Sequence, residues 1–520
     1  MPKTTIEIKS VLAGIAPTQY VSADSQYNSS IAIDPDYPIG SGIKTSGAIH
    51  PTVYEKFSGT NISGYPKWIL NTTKTTLTYV YASDGKFVSY DSSLANEALI
   101  GTPTSGAGNG AAYYNNYIYL ATPTDVSRYG PLNGTAALTD NVWTGATLGT
   151  LTALTNTTYP SLRGVALPNH AMHVHGDNSL YMCDFINGQG LIHRIHTKKV
   201  TAEGDTNDTT VPSAYNVLDL PFGFYPTAIE SYGTDLAILA IQTTDTGIYQ
   251  GKSALFFWDC ASDSFYRQLM LPDPLATALF YHNGLLHIWS GNANNGVRLS
   301  AYLGGETLRQ VIFLEEGTPP LAGAVDVMSN RVVFGGWTTL PAATACVWAY
   351  GSKNELLPKG YHNIVRSTSA GANGSVTAVK YVQQASSITP RLVVGWGDDS
   401  AKGIDKLSTT GTYAAVFRSE VFNIGQPFSI QKIRIPLGKT VAANMTVTPK
   451  IYLDDDVSTG TALNAINTTN FSGKKNAVYK GSDLKALGGQ HNIMLEILFT
   501  GTVSLPVIMP IKIELDLLED

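Results

Sequence analysis

The chain has 520 residues, too many for one ordinary core of about 100–200 residues, so two or three domains are expected. Charged residues make up only 14%, the net charge is −6, and no dense Lys/Arg stripe occurs, which excludes a surface complementary to a phosphate backbone and hence a nucleic-acid partner. Apolar residues at 43%, with 28 Tyr, 16 Phe and 7 Trp, supply large cores, while Thr, Ser, Asn and 49 Gly favour strands and turns over long helices.

Residues 1–30 lack the basic, then apolar, then small-residue order of a secretion signal, and no window approaches ~18 consecutive apolar residues. A product of the cytoplasm with no membrane insertion is expected, and the sequons at Asn71, Asn133, Asn156 and Asn467 are read as chance products of the composition. Residues 1–67 read as an extended arm, because Pro17, Pro35, Pro38, Pro51 and Pro66 interrupt every potential strand after Thr4-Thr-Ile-Glu-Ile-Lys9. Such an arm has too little apolar sequence for a core of its own and is expected to lie along another surface.

From Ile69 to Leu407 one unit recurs: a turn dipeptide, then an apolar or aromatic strand. Copies include Tyr114-Asn-Asn-Tyr-Ile-Tyr-Leu120, Gly176-Asp-Asn-Ser-Leu-Tyr-Met182 and His282-Asn-Gly-Leu-Leu-His-Ile-Trp289. Equivalent anchors at Tyr119, Tyr181, Leu239, Ile288, Val333 and Val393 are 62, 58, 49, 45 and 60 residues apart, and Thr75–Tyr81 resembles an earlier, seventh copy. Steps of about 40–50 residues with four strands each are what propeller blades require, and longer steps leave room for loops. Residues 68–411 therefore read as a six- or seven-bladed β-propeller, with a long β-sandwich as the competing arrangement. Val332-Val-Phe-Gly-Gly-Trp337, followed by Cys346-Val-Trp-Ala-Tyr350, resembles a kelch blade, whose double glycine allows close approach of neighbouring backbones.

The titratable residues within this region cluster at His170, His173, His175, His193 and His196. On a strand His173 and His175 share a face, and an adjacent strand carrying His193 could complete three nitrogen ligands for zinc or nickel. No paired-Cys or HExxH spacing supports a metal, so hydrogen-bonded histidines lining a blade are the preferred reading. Cys183, Cys260 and Cys346 each sit in a strand-like run and read as buried thiols. Asp34-Pro-Asp36 and Asp454-Asp-Asp456 fail the EF-hand register and read as exposed turns. Ser83-Asp-Gly85 is the nearest approach to a sialidase Asp box but lacks its spacing and Trp. Glycoside hydrolysis would need a facing carboxylate pair, such as Glu230 with Asp326. With no Gly-x-Ser-x-Gly elbow, no phosphate-binding Gly-Lys-Ser/Thr loop and no Cys-x-x-Cys motif, neither a cofactor nor an enzymatic role is expected. Trp289, Trp337, Trp348 and Trp396 are nominal sugar-stacking platforms, but their strand-like surroundings favour core packing.

After Ser408 the pattern changes to alternation, as in Lys432-Ile-Arg-Ile435 and Ile511-Lys-Ile-Glu-Leu515, with one face buried and one wet. Residues 412–520 read as an antiparallel β-sandwich, which makes the whole chain all-β.

Two stretches, Gln26-Tyr-Asn-Ser-Ser-Ile-Ala-Ile-Asp-Pro-Asp-Tyr-Pro38 and Lys44-Thr-Ser-Gly-Ala-Ile-His-Pro-Thr52, resemble the start of virion structural proteins of tailed bacteriophages. The C-terminal region is similar in style to their accessory β-sandwich domains. Together these cover about a third of the chain and carry no catalytic signature. The resemblance implies a non-enzymatic component of the virion, in the tail or at the tail-proximal vertex, whose partners are other virion proteins and copies of itself. A carbohydrate- or receptor-binding propeller, taking a host-surface glycan, is the alternative, and a propeller glycoside hydrolase ranks third.

Overall fold

The turn dipeptides fold as tight hairpins. Asn115–Asn116, Asn187–Gly188 and Asn283–Gly284 hold both residues at positive φ, from 46° to 81°, the mirror-image turn geometry that matches the right-handed twist of the flanking strands. The structure, a computed structural model, describes residues 2–518 except 10–13, 16–25, 28, 35–48, 50, 53, 57–59, 105, 141, 143–169, 196–213, 244–248, 293–295, 315–318, 329–330, 339–343, 352–360, 367–374, 384–389, 398–401, 409–412, 455–458, 485–486 and 490.

Among the described residues the hairpins assemble into seven four-stranded antiparallel sheets in chain order, over 66–101, 110–139, 172–222, 224–270, 275–314, 325–366 and 375–407. The last stretch supplies three strands, and its fourth is Tyr54–Lys56, paired antiparallel to Lys402–Leu407. The first strand of each sheet packs against that of its neighbours, and the first strand of the last sheet, Ser375–Val382, packs on Pro66–Asn71 of the first. The sheets thus close into a ring, a β-propeller. All six sequence anchors fall on the second strand of their blade, each no more than 1% exposed.

A device repeats at the ring's inner edge. The first strands of blades 1, 4, 5 and 7 each carry a bulge, with Lys67, Thr227, Thr277 and Thr377 as the extra residue. A bulge frees one residue from the ladder and re-aims its side chain. Each threonine uses that freedom to reach the next blade. Thr227 Oγ1 donates to the Ala276 carbonyl at 2.8 Å, Thr277 Oγ1 to the Pro320 carbonyl at 2.7 Å, and Thr377 Oγ1 to the Pro66 carbonyl across the closure. Close approach is also bought with glycine on second strands: a Cβ on Gly335 would strike Val376 of blade 7, and one on Gly395 would strike Pro66 of blade 1. Gly335 of the kelch-like run therefore serves inter-blade packing.

The C-terminal region forms two sheets face to face. One has the order Lys3–Ile8, Ile511–Leu517, Phe428–Pro436, Asn476–Lys480; the other runs Thr461–Ala462, Val447–Leu453, Asn492–Phe499, Ala415–Arg418, Ser29–Ile31. In Ile511–Leu515 the apolar members are buried, and the wet face carries the cross-strand pairs Lys512 with Glu7 and Lys432 with Glu514. The predicted alternation is realised there.

The boundary expected at residue 67 does not hold. Lys3–Ile8 and Ser29–Ile31 belong to the sandwich sheets, Ile49 bonds to Val507, and Tyr54–Lys56 completes the last blade. The prolines do limit strand length, but a strand of three residues is enough when it pairs with an edge already formed. The segment lies along its own chain's two halves. An apolar cluster among the described residues joins those halves, running from Tyr27, Tyr413 and Phe417 to Trp289, Phe334 and Trp348 of blades 5 and 6.

Candidate functional site

The first strands of the blades surround the axis of the ring, so side chains near their ends can meet across blades. Glu230 and Lys380 each stand three residues beyond a bulge threonine, in blades 4 and 7. Lys380 Nζ lies 2.8 Å from Asp326 Oδ1 of blade 6, whose other carboxylate oxygen accepts from the Tyr381 amide at 2.7 Å. The Lys380 charge also acts on Glu230, favouring its ionised form, but burial outweighs it and pushes the Glu230 carboxyl up to about 7. Of Glu230 and Asp326, named from sequence as a conceivable pair, Asp326 pairs directly with Lys380, whose charge also acts on Glu230.

On the other side of Glu230 the first strand of blade 3 brings in two histidines. His173 Nε2 lies 2.7 Å from Ser231 Oγ and 3.4 Å from Glu230 Oε1. His175 Nδ1 lies 2.9 Å from the same Ser231 Oγ, and its Nε2 lies 3.0 Å from the Thr234 carbonyl. Because a carbonyl only accepts, His175 Nε2 carries the proton and Nδ1 is bare. Ser231 Oγ–H therefore donates to His175, and His173 Nε2–H donates to Ser231. Burial, with the neighbouring His175, holds His173 at about 4, so it is neutral at pH 7. The result is a directed chain of hydrogen bonds from His173 through Ser231 and His175 to the Thr234 carbonyl, with Glu230 beside its first member.

His193 does not join this group. In the blade 3 register Met172, Met182 and His193 lie side by side, as do His173, Tyr181 and Arg194, so His193 and His173 project from opposite faces of the sheet. The proposed three-nitrogen metal set of His173, His175 and His193 is therefore corrected: two of its members meet at Ser231, and the third pairs elsewhere. His193 Nε2 lies 3.0 Å from Asp184 Oδ2, and His170 Nδ1 lies 3.1 Å from the Cys183 carbonyl and 3.5 Å from Asp184 Oδ1. His196 lies outside the described residues. Among the described residues no three His, Cys, Asp or Glu side chains are grouped to hold a metal ion.

The remaining sequence candidates take structural places. Asp34 is buried, not in an exposed turn, and both its carboxylate oxygens accept from Arg331 of blade 6, at 2.9 and 3.1 Å. Asp454 is in a turn, at φ 53°, where it accepts from the His491 amide at 2.8 Å; Asp36, Asp455 and Asp456 lie outside the described residues. Asp84 accepts from the amide and hydroxyl of Ser63, both at 2.7 Å, tying the chain before blade 1 to its first hairpin. Trp289, Trp348 and Trp396 are buried in blade cores, and the Trp337 side chain lies outside the described set. Cys183 and Cys346 are buried as expected, but Cys260 is only half-buried, at a turn residue with φ 61°.

Sequence reasoning missed Ser231 and Lys67. Ser231 follows Glu230 in an ordinary strand pattern, and its histidine partners lie 56 and 58 residues away in another blade. Lys67, at the bulge of blade 1, is 6% exposed with its Nζ 3.4 Å from Asn109 Oδ1, and burial lowers it to about 8. A signal was present for the bulges: Thr-Ala recurs at Thr227-Ala228, Thr277-Ala278 and Thr377-Ala378, each opening a blade.

The fold defines the chain's class, a β-propeller joined to a β-sandwich. No protein-family model and no curated protein matches it. Similar solved structures include the Dos1 propeller, at 11% identity and a TM-score of 0.43, covering 68% of this chain and 95% of that one. The Cps50 (Swd1) β-propeller domain of Myceliophteria thermophila is 10% identical with a TM-score of 0.41, covering 68% of this chain and 99% of that one. The Pan2 WD40 domain of Neurospora crassa is also 10% identical, with a TM-score of 0.40 and coverage of 68% and 91%.

Proposed function

We propose that this protein is an assembly and interaction platform, specifically a structural component of a tailed-bacteriophage virion in the tail or at the tail-proximal vertex, acting through its contacts with partners. The observation that carries this reading is the way the N-terminal segment is woven into the molecule. Its strands enter both sandwich sheets and then close the last blade, and the buried Asp34–Arg331 pair fixes it to blade 6. A body stitched in this way is suited to holding partners at fixed positions. The partners proposed are other virion proteins and further copies of this chain. The finer assignment to a phage particle rests on the resemblance of residues 26–38 and 44–52. Electron microscopy and peptide mass spectrometry of purified particles test it: the chain is expected in the particle, and as rings or higher oligomers when isolated. A chain that stays monomeric and is absent from particles overturns the reading.

The polar group around Glu230, Ser231, Asp326 and Lys380 favours a second reading, a receptor-binding propeller that takes a host-surface glycan near the axis. A glycan-array screen tests it, with binding weakened by Asp326→Asn as the expected result.

A further inference from the structure

We infer that Ser231 is an activated nucleophile, with His175 as its base, able to open small carboxylic esters at the inner edge of blades 3 and 4. This goes beyond the assembly role and does not depend on it. Three geometric facts carry the inference. Ser231 Oγ is 2.9 Å from His175 Nδ1, within the reach a nucleophile and its base require. The far nitrogen of the same ring is fixed by the Thr234 carbonyl at 3.0 Å, which sets the tautomer that leaves Nδ1 free to take a proton. Ser231 is half-buried whereas His175 is 5% exposed, so the hydroxyl can be approached while its base is shielded from water.

The chemistry balances with water as the only co-reactant. Ser231 Oγ attacks the ester carbonyl carbon, forming an Oγ–C bond as its proton passes to His175 Nδ1. The bond from carbon to the alcohol oxygen then breaks, and the departing alkoxide takes that proton, leaving an acyl-serine. Water attacks the acyl carbon, yields a proton to His175, and the Oγ–C bond breaks as Ser231 recovers it, releasing the carboxylic acid. His173 Nε2–H, 2.7 Å from Oγ, donates to the same hydroxyl and fixes its orientation toward His175. A backbone carbonyl, and not a carboxylate, orients the base, so the imidazolium is stabilised less than in a Ser-His-Asp triad. That restricts the expected substrates to esters with good leaving groups and excludes amides.

The test uses the full chain with a fluorophosphonate probe and p-nitrophenyl acetate. Peptide mass spectrometry is expected to find the probe on Ser231 of the unaltered protein, with a burst of nitrophenol of about one equivalent per chain. Ser231→Ala is expected to abolish both, and His175→Gln to slow labelling about 10²-fold or more, the usual contribution of a general base. Labelling is scored only for variants whose thermal transition matches the parent, and the parent's own labelling site keeps the test decisive if His175→Gln fails to fold. An unmodified Ser231 in the parent, or equal labelling in a folded His175→Gln variant, overturns the inference.

Discussion

Arg331 and Asp34 show what a buried ion pair demands. Arg331 is 1% exposed, and its guanidinium meets the carboxylate with two parallel hydrogen bonds, the geometry that best offsets desolvation. Arg331→Met, which leaves Asp34 buried, is expected to cost about 3–5 kcal/mol in urea unfolding. Adding Asp34→Leu should recover much of that loss, because no uncompensated charge remains; equal and additive losses would count against the account. Lys67 gives a pH-dependent case. Its value falls from the ordinary 10.5 to about 8 through burial, so between those values the unfolded chain binds more protons than the folded one, and stability rises with pH. Below about pH 8 the full penalty applies. Lys67→Met should therefore raise the unfolding free energy at pH 7 by an amount that shrinks as pH rises and has vanished by about pH 10.5, as measured by denaturant titration across that range.

At the scale of elements, the ring depends on a strand supplied from far away in sequence. Tyr54–Lys56 covers the outer edge of blade 7, which would otherwise expose unpaired backbone groups. Deleting residues 1–56 removes that strand and one strand from each sandwich sheet. The expected outcome is aggregation, with fast amide exchange at Lys402–Leu407 in whatever stays soluble. Retained slow exchange there would show that blade 7 is complete without the strap. The blades themselves were legible in the sequence because each hairpin is local: its turn residues and apolar strand are neighbours in the chain. The strap was not legible, since three residues ending in Lys56 carry no periodic signal, and only the existing edge of Lys402–Leu407 makes them a strand. The same logic hid Ser231, whose chemistry depends on a neighbouring blade.

For the molecule as a whole, the apolar cluster shared by the sandwich and blades 5 and 6 predicts joint unfolding. Scanning calorimetry should give one transition for both halves, and Trp289→Ala should lower it as a unit; two separated transitions with only one shifted would contradict this. What the sequence alone determined was the all-β class, the repeated blade unit, the alternation of the C-terminal strands and the burial of Trp289, Trp348 and Trp396, because each is encoded over a few adjacent residues by turn chemistry and side-chain period. Ring closure, the division of the N-terminal segment between two bodies, the opposite facing of His173 and His193, and the hydrogen-bonded chain at Ser231 were decided only by tertiary structure. Each of those depends on strand register or on contacts between residues far apart in the chain, and local sequence pattern fixes neither.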